Sequence, residues 1–412
     1  MINEKQHIPS GYKSSPLGII PEDWEVKRMG EIGDFSKGNG VPKDKIIKDE
    51  HGHPCLTYGD LYTKYDFVIK DIKSFIDDDV ASESKEIHIG DICFAGSGET
   101  PEDIGKCAAY IEERTAYAGG DIIILSPNKD INSIWLSYVL NSDIGGKQRY
   151  KFAQGFSIVH IYPDNLKRIQ IPTPTLKEQQ RIVSVLSLWD IAIAKQTTLI
   201  EKLILRKRGL MQQLLTGKKR LKGFEGKWKR IKAGEIVKSI SVKGNGSEVL
   251  LSATQEHGVI PRDQLEGRVT MPTGDTNSFK LVEVGDFVIS LRSFQGGLEY
   301  SEHRGIVSPA YTVLKPIVEI DKTFYRYYFK SAEFIGHLAI AVIGIRDGKQ
   351  ISYDDFCFVK IPYPNIEEQK AISAILLQGD KEIEIQKQKL LILQEQKKGL
   401  MQVLLTGKKR IK

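Results

Sequence analysis

The stretch IPTPTLKEQQRIVSVL, residues 171–186, comes back as IPYPNIEEQKAISAIL at 361–376. Each copy runs on to the same ending, GLMQQLLTGKKR at 209–220 and GLMQVLLTGKKR at 399–410. The offset never changes: Pro172 aligns with Pro362, Glu178 with Glu368, Gln179 with Gln369, Gly209 with Gly399 and Lys218 with Lys408. A repeat of this kind governs every more local reading. Each copy reads as one long helix, because Pro174 and Pro364 can precede a helix but not sit inside it. In the first copy Ile182, Leu186, Trp189, Ile193, Gln196, Ile200, Leu203, Lys207, Leu210 and Leu214 step by four and three alternately, which is a heptad seam. The second copy repeats the seam from Ile372 to Leu404, with Gln386 and Lys397 in the places of Gln196 and Lys207. A polar seam residue costs stability but can fix register. Matching polar positions predict that the helices pack on each other, with Gln196 facing Gln386 at the midpoint of an antiparallel pair. Two amides can satisfy one another there, since each offers donors and an acceptor.

Outward from the helices, the chain of 412 residues divides into an N-terminal extension 1–23, a globular segment 24–171, the first helix with its basic end 172–222, a second globular segment 223–361 and the second helix 362–412. Residues 1–21 are polar and read as loop. Ile87–Phe94 and Asp121–Leu125 read as strands and Ile134–Asn141 as a helix. The second segment echoes the first. Trp24-Glu25-Val26-Lys27-Arg28-Met29-Gly30-Glu31-Ile32 resembles Trp228-Lys229-Arg230-Ile231-Lys232-Ala233-Gly234-Glu235-Ile236, and Gly90-Asp91-Ile92-Cys93-Phe94 resembles Gly285-Asp286-Phe287-Val288-Ile289. Each Gly-Asp strand is followed by a glycine loop and a further strand, near Asp121 and near Ala310. The segments share a skeleton and differ in their loops. Compact domains often bring their termini together, so the second segment should return the chain beside the end of helix one and send helix two back along it. A helix of ~39 residues reaches ~58 Å, long enough to hold two globular segments well apart.

Composition narrows the function. Apolar residues make up 41%, enough for real cores, and the net charge of +6 is mildly basic and compatible with nucleic acid. Cys55, Cys93, Cys107 and Cys357 show no zinc spacing and read as reduced cytosolic thiols. No apolar run reaches the ~18 residues of a membrane span, and the polar N-terminus is no signal peptide. Gly344-Ile345-Arg346-Asp347-Gly348-Lys349-Gln350 has the wrong spacing for a phosphate-binding loop and ends in Gln. No Asn/Asp-Pro-Pro-aromatic motif of an amino-methyltransferase is present. His51-Gly52-His53 lacks a further ligand at a telling distance, and Asp77-Asp78-Asp79 reads as a solvated turn. A structural coiled-coil protein would explain the seam but not two matched globular segments with different loops. A self-contained methyltransferase or nuclease would need the missing motifs.

Taken together, the Pro21-Glu22-Asp23-Trp24 opening, the two Gly-Asp strands, the IPxPxxxEQxxI helix starts and the Gly-Leu-Met-Gln-x-Leu-Leu-Thr-Gly helix ends resemble the specificity (S) subunit of Type I restriction–modification enzymes. The resemblance spans nearly the whole chain. It implies mixed α/β (α+β type) target-recognition domains separated by two long helices that form an antiparallel coiled coil, related by a pseudo-two-fold. It implies a cytoplasmic, non-catalytic subunit that binds double-stranded DNA, each domain reading one half of a bipartite asymmetric site. The helices would set the spacer and dock two methyltransferase subunits, with restriction subunits joining them. S-adenosylmethionine, ATP and Mg would belong to those partners, with no cofactor or metal held by this chain.

The family places DNA contacts in loops after the Gly-Asp strand and just before the final strand. Base edges are read by polar side chains carried on a positioned element, while phosphates take Lys, Arg, hydroxyls and free amides. The candidates in the first domain are Thr57, Tyr58, Lys64, Tyr65, Ser97, Glu99, Gln154 and Ser157. In the second they are Ser252, Thr254, Gln255, Arg292, Ser293, Gln295, Arg346, Lys349 and Gln350. The basic ends Lys218-Lys219-Arg220 and Lys408-Lys409-Arg410 are open to three readings: phosphate contact, partner contact, or solubilising a helix end.

Overall fold

The computed structural model describes residues 8–155, 157–265, 274–341 and 351–411. The chain forms two compact units, one of residues 1–195 with 390–412 and one of residues 196–389. Each unit therefore takes one globular segment and half of each long helix.

The helices span Leu176–Leu214 and Ile366–Leu404, 39 residues each. They start alike: the Gln179 amide donates to the Pro174 carbonyl at 2.9 Å, and Gln369 to that of Pro364 at 2.8 Å. They end alike, at Gly217 and Gly407, both with φ +70°. The left-handed turn lets the last carbonyls find partners in the tail, with Lys219 N donating to Gln213 O at 3.1 Å and Lys409 N to Val403 O at 3.0 Å. A Cβ on Gly407 would also lie 2.4 Å from Pro21, so the site accepts only glycine.

Within each unit the start of one helix packs on the end of the other, the antiparallel arrangement expected. In the first unit Ile182 and Leu186 share a core with Met401, Leu404 and Leu405. In the second, Leu214 and Leu215 share one with Ile372 and Leu376. Each such fully buried aliphatic side chain stabilises by about 1.5–3 kcal/mol. By length and composition Leu176–Leu214 is apolar enough to cross a membrane, contrary to the reading from sequence, because residues 182–199 carry only Asp190 and Lys195 as charges. Its seam residues Ile182, Leu186, Ile200 and Leu203 are buried in the protein.

In the first unit a five-stranded sheet runs in the order Gly33–Lys37, Ile122–Pro127, Ile92–Ala95, Cys107–Tyr110, Val68–Ile69. A four-stranded sheet holds Phe75–Ile76, His53–Leu56, Ala116–Ala118 and Lys85–Ile87. Glu25–Arg28 pairs antiparallel with Gln170–Thr173, the strand that feeds the first helix. The second unit repeats this last pairing with Lys229–Lys232 and Lys360–Tyr363, and has a four-stranded sheet of Val237–Ile240, Thr312–Pro316, Phe287–Ile289 and Glu299–Tyr300.

Three local readings change. Ile87–Phe94 is two strands in two sheets, because Gly90 at φ +95° turns the chain between them. The polar N-terminus contains a hairpin, Tyr12–Ser15 with Gly18–Pro21. The Asp77-Asp78-Asp79 run begins a short helix, Asp78–Glu83, with Asp77 accepting from Val80 N at 2.9 Å.

Candidate nucleic-acid interface

The Gly-Asp turns shape the candidate loops. Asp91 accepts from His88 N at 2.8 Å and from the Ser126 hydroxyl at 2.7 Å. Asp286 accepts from Glu283 N at 2.9 Å, and its other oxygen is buried without a partner among the described residues. Burial holds the Asp286 carboxyl above the usual carboxylate range.

In the first unit the loop after this turn meets two other segments. Ser97-Gly98 pairs antiparallel with Val159-His160. The Ser97 hydroxyl lies 3.0 Å from His160 Nδ1, and the Tyr62 hydroxyl donates to the Ser97 carbonyl at 3.1 Å. Helix Tyr58–Thr63, the Gly-Asp loop and residues 154, 155 and 157–160 thus form one surface. Tyr58, Lys64, Glu99, Gln154 and Ser157 are exposed on these segments. Ser97, a DNA-contact candidate, is only 4% exposed, and its hydroxyl helps to build the loop through His160. Thr57 has a structural part, its N–H and hydroxyl both donating to Asp60 at 2.8 Å. Lys64 pairs with the same carboxylate at 2.6 Å and keeps its exposed flank. Tyr65 is half-buried, its hydroxyl pushed up to about 12 by burial. Tyr62 and His160 were not foreseen, because both act through contacts with Ser97 across 35 and 63 residues of chain.

The second unit builds its surface from hairpin Leu251–Thr254 with Gly258–Pro261 and from residues 290–297. Gln255 and Gln295 are exposed, as is Arg292 at the start of the turn Ser293–Gly296. Gln255 reaches across to the Arg292 carbonyl at 3.5 Å. Lys330 ties the hairpin turn to the strand Glu299–Tyr300, donating to the Gln255 carbonyl at 3.3 Å and the buried Glu299 carboxylate at 2.6 Å. Ser293 is 1% exposed and accepts from Ser290 N at 2.8 Å, so its hydroxyl is engaged within the loop. Thr254 closes the hairpin by donating to Gly258 O at 3.0 Å, and Ser252 is half-buried on the strand. Arg346, Lys349 and Gln350 lie outside the described residues.

The basic helix ends have one definite role. Arg410 donates to Glu178 at 2.6 and 2.7 Å, and Trp24 Nε1 donates to the same carboxylate at 3.0 Å. Arg220 donates to Glu368 at 2.6 and 2.7 Å, and Trp228 Nε1 to Glu368 at 2.9 Å. Each arginine is thus a clasp inside its own unit, while Lys218, Lys219, Lys408 and Lys409 stay exposed. At the helix midpoint the Gln196 amide donates to Gln386 Oε1 at 2.8 Å and to the Gln386 carbonyl at 3.0 Å. Gln196 is 6% exposed. His53, one of the two histidines weighed as a metal ligand, instead lies 2.7 Å from Asp78. Among the described residues no three His, Cys, Asp or Glu side chains gather as a metal-binding set.

Residues 21–204 and 225–395 match the family model described as the Type I restriction modification DNA specificity domain. The chain is 31% identical to a protein of Methanocaldococcus jannaschii described as a type I restriction enzyme MjaX specificity subunit, over 97% of each. It is 28% identical to the MjaVIII specificity subunit of the same organism, over 95% of this chain and 94% of that one. Among solved structures, the fold is similar to a chain from a study of complex assembly and conformational transition of the type I R-M system, with TM-score 0.62 at 19% identity, covering 94% of this chain and 99% of that one. It is also similar to the S subunit from M. genitalium, with TM-score 0.53 at 17% identity, over 93% and 96%.

Proposed function

The chain belongs to the Type I restriction–modification DNA specificity family, and from that premise we propose that it is the DNA-reading subunit of such an enzyme. Each globular domain reads one half of a two-part site on double-stranded DNA. The observation that carries this reading is the twin construction: matched clasps and helix ends hold two domains whose exposed loops differ. Readers so related meet DNA with opposite polarity, and unequal loops give an asymmetric target.

The chain supplies recognition and no chemistry of its own. Two methyltransferase subunits and the restriction subunits seat on the helices and bring S-adenosylmethionine, ATP and Mg. Support for such docking comes from apolar side chains left open on the helices of each unit. In the first unit Leu188 and Ile392 are 66% and 53% exposed, and in the second Leu205 and Ile385 are 66% and 64% exposed. Base reading falls to exposed polar residues of the loops, Gln154, Ser157 and Glu99 in one domain and Arg292, Gln295 and Gln255 in the other. The test mixes purified chain with labelled duplex, with and without a methyltransferase partner and S-adenosylmethionine. Site-specific methylation only with the partner is the expected result; methylation by the chain alone would refute it.

A further inference from the structure

Besides its clasp, each globular domain is fastened to the long helices through one helix of its own, at two points. In the first unit the fastened element is the domain helix Ser133–Asn141. Ahead of it, Asn132 N donates to Gln179 Oε1 at 2.7 Å, and the fully buried Gln179 also donates to Asp130 O at 3.2 Å. Further along, the Tyr138 hydroxyl donates to Asp190, and the same carboxylate takes Lys397 from the second long helix. Lys397 is 6% exposed, with its ammonium 3.9 Å from the Phe67 ring centre and 5.1 Å from that of Tyr138. The second unit repeats the scheme on helix Lys322–Tyr328. There Asp321 N donates to Gln369 Oε1 at 2.8 Å, Tyr327 donates to Asp380, and Lys207 pairs with Asp380 while lying 4.9 Å from the Tyr327 ring centre.

From 179 to 190, and from 369 to 380, is about three helical turns, or ~16 Å along the axis on nearly the same face. The clasp and the first of these contacts both lie at the helix start, and the second, three turns along, fixes the direction of the domain. Stability alone does not account for the second one. A lysine on an apolar seam must be stripped of water, and replacing a buried ion pair by apolar residues is often neutral or stabilising. Burial pulls the Lys397 ammonium below its usual range against the attraction of Asp190. Yet both copies retain Lys, Asp and Tyr in the same relation, with the tyrosine always supplied by the domain. A polar seam group is best understood as a device that selects one geometry.

We propose that Asp190 and Asp380 are positioning residues for DNA recognition: through Tyr138 and Tyr327 each aims its domain along the helices, and so restricts the protein to one spacer length between half-sites. The proposal rests on the DNA-reading function stated above. It concerns the direction in which a domain is held, not the bases that it reads.

The test uses the full chain with its methyltransferase partner and S-adenosylmethionine. The substrates are duplexes with both half-sites fixed and the spacer at its native length, or one or two base pairs longer or shorter. Tyr138→Phe and Tyr327→Phe together cut only the domain-side ties and leave both Lys–Asp pairs whole. The expected result is unchanged half-site bases with methylation of the off-length spacers rising, relative to the native one, by roughly tenfold or more, the factor that one charge-assisted hydrogen bond corresponds to. A stronger variant, Asp190→Ala with Lys397→Met and Asp380→Ala with Lys207→Met, removes both fastenings without stranding a buried charge, and should broaden spacer use further while the chain stays folded. Spacer profiles that match wild type in both variants would overturn the proposal, as would a change in the bases read. A wild-type chain that directs no methylation to any two-part site would sink the DNA-reading function itself, and the proposal with it.

Discussion

The long helices repeat each other in their seam, their starts and their ends, while the domains that they carry repeat only a skeleton. The boundary between the two behaviours is not the boundary of the domains. On the helices themselves the seam is duplicated, but the exposed apolar residues are not: Leu205 has Glu395 as its counterpart, Ile385 has Lys195 and Leu391 has Glu201. In the domains, the Trp24–Glu178–Arg410 and Trp228–Glu368–Arg220 clasps are duplicated, but Ser97 stands where Arg292 stands relative to the Gly-Asp turn. Residues that touch their own chain are held in pairs. Residues that face outward are free to differ, and the proposed function gives them the contacts to DNA and partners.

If the clasps are true equivalents, breaking either should cost the same. Glu368→Ala strips Arg220 and Trp228 of a buried carboxylate, and Glu178→Ala does so to Arg410 and Trp24. Each should lose about 3–5 kcal/mol, the cost of leaving one member of a buried pair alone, read by denaturant unfolding. A large loss from one and none from the other would break the equivalence.

The midpoint sharpens the comparison, because there the two copies meet. Gln196→Leu leaves the Gln386 acceptor facing an apolar side chain and should cost about 1–3 kcal/mol. Changing both glutamines to Leu should recover stability. A double variant no more stable than the single one would mean that the amide pair contributes little.

Arg292 tests the outward face. It has no equivalent in the first domain, so Arg292→Ala should affect one position of one half-site, by about 1–3 kcal/mol if it contacts a base. Competition binding against single-base variants would read this; uniform weakening would indicate a phosphate contact instead.

The smallest expected effect separates the clasps by pH. Arg410 makes a second, bidentate contact to Asp23 at 2.8 Å, where Arg220 has only the carbonyls of Glu225 and Gly226. The Arg410 hydrogen bond holds the Asp23 carboxyl below its usual value. That contribution is present above the unfolded carboxylate range and is lost as pH falls through the folded value. Because Asp23 is exposed the effect is small, and Asp23→Asn should abolish this part of the acid sensitivity while leaving the second clasp unaffected.

Periodic and repeated features were legible in the sequence. The seam, the helix limits and the midpoint glutamines follow from residues that recur at a fixed offset. What stayed hidden depends on contacts between distant segments. The clasps join residue 24 to 178 and 410, and no local pattern distinguishes Arg410 from its exposed lysine neighbours. Gly90 was read as part of a strand because hydrophobic alternation continues across it, while its backbone turns. Lys207 and Lys397 stood out as polar interruptions, but their partners Asp190 and Asp380 are ordinary surface acids in the sequence. Ser97 and Ser293 looked like loop hydroxyls, and only the folded chain shows them turned inward.

The most direct measurement exchanges residues 228–363 for the matching domain of another family member and maps the methylated sequence with the methyltransferase partner. One half-site should change, with the other half and its orientation retained. A change in both halves, or in neither, would contradict independent reading by two domains.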